Sequence, residues 1–315
     1  MWVWVALFGS TLGVSGHVAA WHKGMYCLNG TTPGVDDGNT NAAVQPLYQL
    51  EESEWWFHHV NECDMFPPTK GDFLELPANG EFTVELAVNR AFTTLSYNGA
   101  NTAIFGDGRD HPGLGVTRDG KADGDACISD PNIHTQNETM AAGTIFAISY
   151  VSDLTQVTKE NLVVFTALYH TPWRRLATYK VPNLPACPEE GCICAWGDTG
   201  DAAVAPGKPP VWCEDEPGRC VQGAKQMVFW NQLEGNNVQV SGVDLAGEPK
   251  APTYNMRMGF ADGPQNDIFA ERGSANPTFI APAPTPTLSG SAWSKTRGIS
   301  TVFLVLAVLL LQIRL

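Results

Sequence analysis

The side chains of this chain best suited to gripping a metal or moving a proton near neutral pH are its seven histidines. His17 has a special position among them. Residues 1–14 form an apolar run broken only by Gly9, Ser10, Thr11 and Gly13, too short to span a bilayer and followed by small residues. That is the build of a secretory signal peptide, with Val14 and Gly16 at the small-residue positions of a cleavage site. Cleavage after Gly16 makes His17 the first residue of the mature protein. A terminal histidine offers a free α-amine and a ring nitrogen from one residue. One further imidazole completes a T-shaped set of three nitrogens. Such ligands favour copper among the divalent first-row ions. A partly open nitrogen site of this kind can cycle between Cu(II) and Cu(I) and activate oxygen or peroxide.

Six histidines compete for the second arm: His22, His58, His59, His111, His134 and His170. His22 is five residues from the new terminus, too close for a relaxed brace. His58 and His59 follow Trp55-Trp56-Phe57, and His111 precedes Pro112 in a glycine-rich stretch. His170 ends a strand-like run, and His134 lies just before one. Spacing alone leaves the choice open. Carboxylates are plentiful, but no pair has a spacing that argues for hydrolytic glycosidase chemistry.

The elements that must position these residues read mainly as strands. Residues 82–88 alternate apolar and polar; 91–97, 144–151 and 161–169 are rich in β-branched and aromatic residues; 238–243 adds a shorter run. Residues 47–61 are the best short helix. Turn-forming residues fill the gaps, especially over 106–130. The class expected is mainly β, an antiparallel sandwich with long loops. Trp55, Trp56, Trp173 and Trp212 read either as core or as platforms for stacking sugars.

The organisation is that of an exported protein. Residues 1–16 are the signal peptide, 17–275 the folded domain, 276–290 a Pro/Thr-rich linker and 291–315 a C-terminal address. Ser289-Gly290-Ser291, a polar spacer and an apolar tail fit a glycosylphosphatidylinositol attachment signal with Ser289 as the acceptor; a retained membrane tail is the rival. Either places the body on the extracellular face of the plasma membrane or in the wall. Eight cysteines in an exported chain read as disulfides, with the pairing open. Asn29 and Asn137 begin glycosylation sequons. The formal charge of −14 repels phosphate backbones and makes nucleic acid a poor partner. Losing Lys295, Arg297 and Arg314 with the tail makes it more negative still.

The mature start His17-Val-Ala-Ala-Trp-His-Lys-Gly-Met-Tyr-Cys resembles the xylan-active fungal family of lytic polysaccharide monooxygenases, the fourteenth auxiliary-activity family. The likeness continues through Pro46-Leu-Tyr-Gln-Leu, Gly71-Asp-Phe-Leu-Glu-Leu-Pro, Asn89-Arg-Ala-Phe-Thr-Thr-Leu-Ser-Tyr, His134-Thr-Gln-Asn and Tyr169-His-Thr-Pro-Trp. It resumes at Cys220-Val-Gln-Gly-Ala-Lys-Gln-Met and Met258-Gly-Phe-Ala-Asp-Gly. The resemblance implies an immunoglobulin-like sandwich and one copper ion on His17 and His134. It also implies an external electron donor and oxidative cleavage of glycosidic bonds in xylan bound to cellulose. In the family an axial tyrosine follows the Cys192-Ile-Cys-Ala-Trp-Gly motif. Here no tyrosine occurs after that motif until Tyr254, and the axial residue matches no position. Three functions follow from these residues: a polysaccharide monooxygenase, a non-catalytic copper-binding brace protein at the cell surface, and a carbohydrate-binding wall protein.

Overall fold

The structure, a computed structural model, describes residues 18–44, 49–55, 59, 61–102, 138–188, 191–196, 205–243, 247 and 249–269, with the backbone of 304–308. Two sheets pack face to face. The smaller has three antiparallel strands in the order β1 (Ala19–Trp21), β2 (Glu81–Ala87), β5 (Leu176–Lys180). The larger is ordered β7 (Gly263–Pro264), β4 (Val163–Leu168), β3 (Thr144–Ser149), β6 (Cys192–Trp196), β8 (Leu304–Val308). All its pairings are antiparallel except β6 with β8, where Cys192 faces Leu304 in parallel register. Helix is nearly absent among the described residues: α1 (Glu52–Trp55) is a single turn, and short 3-10 turns punctuate the loops.

Burial patterns explain which strands form which sheet. β5 alternates strictly, with Ala177 and Tyr179 inward and Leu176, Thr178 and Lys180 outward, as a strand wetted on one face must. β3 and β6 are buried throughout, because both faces of the larger sheet are covered. On one face Phe146, Ile148, Val163 and Phe165 meet the three-stranded sheet. Phe82, Phe146 and Tyr179 form the centre of that interface, with ring centroids 4.7–5.5 Å apart, a geometry worth about 0.5–1.5 kcal/mol per pair beyond area burial. On the other face Ile145, Ala147, Val164 and Ala167 meet Trp55, Met227, Phe229, Val238, Tyr254 and Phe260.

That second cover has almost no ladder, so side chains satisfy its backbone. The Asn237 amide accepts from Phe229 N–H at 2.8 Å and donates to Met227 C=O at 2.6 Å. Gln226 Nε2 donates to Gly207 C=O at 2.9 Å. Disulfides Cys27–Cys63, Cys187–Cys192 and Cys213–Cys220 bind the loops to the sandwich.

Several expectations need correction. Residues 91–97 are not a strand: Asn89 caps a 3-10 turn at Arg90–Phe92, and a second turn follows at Tyr97–Gly99. Residues 238–243 give only an isolated bridge from Val243 to Pro249. The helix expected over 47–61 shrinks, in its described part, to α1. Not every cysteine is bridged: Cys194 is a buried free thiol in β6, and burial holds its ionisation well above the usual range. Trp55 and Trp173 are core residues and Trp212 is half-buried, so none of these three is an exposed stacking platform, and Trp56 lies outside the described residues. No helix among the described residues is long and apolar enough to cross a membrane.

Candidate metal centre at one end of the sandwich

His17, His134, Asn137 and Ser289 lie outside the described residues, as do His58, His111 and Cys127. The structure does describe the residues from 18 and from 138 onward, and the registers relate the strands there. Ala19, the first residue of β1, pairs with Ala87, the last of β2. Glu85, two residues earlier in β2, pairs with Leu176, the first of β5. The start of β1, the finish of β2 and the start of β5 therefore share one end of the sandwich. Val18, the first described residue, is buried there.

The segment that follows His134 is tied to the same end. The Arg174 guanidinium faces the Glu138 carboxylate, with Nε to Oε1 at 3.1 Å and Nη2 to Oε2 at 3.2 Å. Gly143 N–H donates to Thr171 C=O at 2.9 Å just before β3 begins. The lead-in to β3 is thus clamped to the residues that lead into β5.

A polar framework beneath this end keeps it rigid. Glu85, 9% exposed, accepts from Thr94 N–H with both oxygens, from the Thr94 hydroxyl and from Arg175 Nη1. Buried charges are tolerated only when paired and hydrogen-bonded in this way. Arg90, also buried, donates to Leu28 C=O, Asn29 Oδ1, Asp36 and Leu95 C=O, joining the loop after β1 to the loop after β2.

A chain of hydroxyls crosses the interior. Trp196 Nε1 can only donate, and Leu168 C=O can only accept, so the direction is forced. Trp196 donates to Tyr179 at 3.2 Å, Tyr179 to Thr144 at 2.6 Å, Thr144 to Thr171 at 2.5 Å and Thr171 to Leu168 C=O at 2.6 Å. Burial pushes the Tyr179 phenol up to about 12, so it stays a proton donor at any physiological pH. The chain fixes the turn at 168–171, where His170 sits exposed with φ 57° and the Thr171–Pro172 peptide is cis. Tyr169 anchors the turn outward, donating to Phe260 C=O at 2.6 Å.

Of the histidines that are described, His22 and His59 are engaged elsewhere. His22 Nδ1 accepts from Gly24 N–H at 3.1 Å, and burial lowers its pKa. His59 Nδ1 contacts Asp64 at 2.8 Å, and that hydrogen bond raises its pKa. Among the described residues no three His, Cys, Asp or Glu side chains gather as a metal site.

The fold is a disulfide-bonded, mainly β sandwich whose first strand opens at an end that holds the buried Glu85–Arg175 ion pair. Comparison with known proteins supplies the chemistry. A family model described as "Lytic polysaccharide monooxygenase AA14" matches residues 1–199 and 197–303. The chain is 31% identical over 333 residues to AA14 family lytic polysaccharide monooxygenase A of Trametes coccinea (strain BRFM310), covering 95% of this chain and 71% of that protein. It is 32% identical to the B enzyme of Pycnoporus cinnabarinus, covering 82% of this chain and 71% of the relative. The B enzyme of Talaromyces rugulosus is also 32% identical, with 81% and 93% covered. The chain belongs to the AA14 family of lytic polysaccharide monooxygenases, which are copper-dependent oxidoreductases.

Proposed function

We propose that the mature protein holds one copper ion on the amine and ring of His17 and on the ring of His134, and that it cleaves glycosidic bonds oxidatively in plant-wall polysaccharide, with xylan on cellulose as substrate. The observation that supports this reading is that β1 starts beside the finish of β2 and the start of β5, and that Glu138 is paired with Arg174, two residues before β5. The donor chemistry fits copper, because amine and imidazole nitrogens sit at the maximum of the stability order. When bound, the ion supplies one-electron chemistry toward oxygen or peroxide, driven by an external electron donor. The protein's own part is positional. The Glu85–Arg175 pair and the hydroxyl chain hold the strands that present the two arms, and the Arg174–Glu138 pair sets the approach of the second arm.

The same reading makes the protein exported through removal of residues 1–16 and tethered at the cell surface by a lipid anchor at Ser289 or by its C-terminal tail. Asn29 and Asn137 are the glycan acceptors. Asn29 is suited to this: its Oδ1 is held by Arg90 at 3.0 Å, and Nδ2, the atom a glycan takes, has no protein partner among the described residues.

One observation favours a second reading, a surface copper binder without catalysis. The family match divides at residues 197–199, where the axial-tyrosine stretch belongs, and loss of an axial ligand changes redox behaviour while leaving the two arms. The experiment is copper loading of the mature protein with one equivalent of Cu(II), read by electron paramagnetic resonance, followed by product analysis on xylan-coated cellulose with a reductant. A single nitrogen-rich signal lost in His134→Ala, with oxidised oligosaccharides formed, supports the enzyme. The signal without products supports the binder. Heterogeneous copper that is indifferent to His134→Ala refutes both.

A further inference from the structure

The loop after β2 contains the most unusual backbone among the described residues. Tyr97, Asn98 and Gly99 run consecutively with φ of 50°, 52° and 74°. Glycine adopts this left-handed region freely and asparagine tolerates it, but a tyrosine there is disfavoured by about 1–2 kcal/mol. Strain of this kind persists only where the surroundings over-determine it. They do so here: Arg90 Nη2 holds Leu95 C=O at 3.0 Å, and the turn closes through Gly99 N–H to Ser96 C=O at 2.9 Å and Ala100 N–H to Tyr97 C=O at 3.1 Å.

The strain turns the ring outward. Tyr97 is 55% exposed, the largest exposure of any aromatic side chain among the described residues. The edge of its ring lies along Gly38, where a Cβ atom would stand 3.7 Å from Cζ. The ring thus approaches the loop after β1 while the residue stays largely exposed. Asn98, the next residue, is also exposed. The loop leaves β2 at Ala87, which pairs with Ala19 at the start of β1, and Thr94 within it donates to the Glu85 carboxylate of β2.

We propose that Tyr97 is a stacking platform for a pyranose ring of the polysaccharide, with Asn98 hydrogen-bonding the sugar's edge, and that it sets how the chain lies across the copper end. A pyranose face is apolar and its rim is hydroxylated, which matches a flat ring flanked by an amide. This rests on the polysaccharide reading above, and it adds a residue that determines binding.

The test compares Tyr97→Asn and Tyr97→Trp with the wild type as full mature proteins, reading adsorption to xylan-coated cellulose, thermal unfolding and the copper resonance spectrum. Asn relieves the backbone while removing the ring. Tyr97→Asn is expected to unfold at the same or a higher temperature, to keep the copper signal and to bind the polysaccharide about three- to tenfold more weakly. Tyr97→Trp is expected to retain binding. Wild-type adsorption by Tyr97→Asn, or loss of adsorption by Tyr97→Trp at unchanged melting temperature, overturns the proposal. Failure of the copper reading shows separately, as a wild-type protein without the nitrogen-rich signal, and leaves the adsorption comparison intact.

Discussion

The larger sheet is covered on its two faces by two different kinds of layer. One is the ladder of β1, β2 and β5, in which backbone pairs with backbone and outward residues alternate with inward ones. The other, built from parts of residues 205–260 together with Leu50 and Trp55, buries a comparable set of large side chains with scarcely any regular structure. Both solve the same problem, since a buried backbone group must find a partner. The ladder solves it generically and leaves side chains free for packing. The irregular layer solves it with particular amides, so its integrity rests on a few residues. The ladder side is where the start of β1, the finish of β2 and the start of β5 come together with the Glu85–Arg175 pair.

The largest expected effect tests whether the irregular layer is part of the cooperative fold. Trp55 is 1% exposed, stacks on Phe229 with centroids 4.5 Å apart and leaves no room for a side chain at Gly235. Trp55→Ala is expected to cost about 3–5 kcal/mol. A single calorimetric transition shifted downward means that both layers unfold together. A split transition, with β2 and β5 melting at the wild-type temperature, shows two independent units instead.

A smaller change separates the two ways of satisfying backbone. Asn237→Ala removes the partner of Phe229 N–H, of Met227 C=O and of Gln226 Oε1 at 3.1 Å, an expected loss of about 2–3 kcal/mol. Hydrogen exchange should show amides of 226–229 opening first, with those of β2 protected. On the ladder side, Tyr179→Phe keeps the ring and removes the hydroxyl between Trp196 and Thr144, an expected cost of about 1–2 kcal/mol. If the hydroxyl chain positions the 168–171 turn, Tyr179→Phe should also perturb the copper spectrum, whereas Asn237→Ala should not.

This contrast also explains what was legible in the sequence. Residues 82–88, 144–151 and 161–169 announced β2, β3 and β4 because their apolar periodicity is imposed by a sheet. The mainly β class was likewise readable, from the same periodicity. The run 91–97 has strand-like composition, yet the Asn89 cap, the Arg90 bonds and the left-handed Tyr97 and Asn98 turn it into loop; those are tertiary forces that composition does not carry. β1 is three residues long, too short for any period. In β5 the exposed position is held by Leu176, which blurs an alternation that the structure shows to be strict. The irregular layer could not be read, because the meaning of Asn237 and Gln226 lies in partners and not in pattern. Tyr97 was visible only as part of a motif, since exposure and backbone strain require coordinates.

The smallest effect concerns pH and again opposes two environments. Burial, helped by Lys23, lowers the pKa of His22, so the folded protein holds that proton less tightly than the unfolded chain. Stability from this site is present above the ordinary value of about 6.5 and falls as pH drops below it. The hydrogen bond to Asp64 raises the pKa of the exposed His59, so its contribution is full below about 6.5 and is lost as pH rises through the elevated folded value. The two slopes are opposite in sign and lie on either side of about 6.5, so the contribution of the pair is expected to be greatest there and to decline in both directions. Proton NMR titration of the metal-free protein should place His22 below and His59 above the free imidazole range. Asp64→Asn should return His59 to that range and leave His22 unmoved. Stability should then stop declining as pH rises above about 6.5, while the fall on acidification, which comes from His22, stays the same. An unchanged His59 midpoint in Asp64→Asn would show that the 2.8 Å contact does not persist in solution.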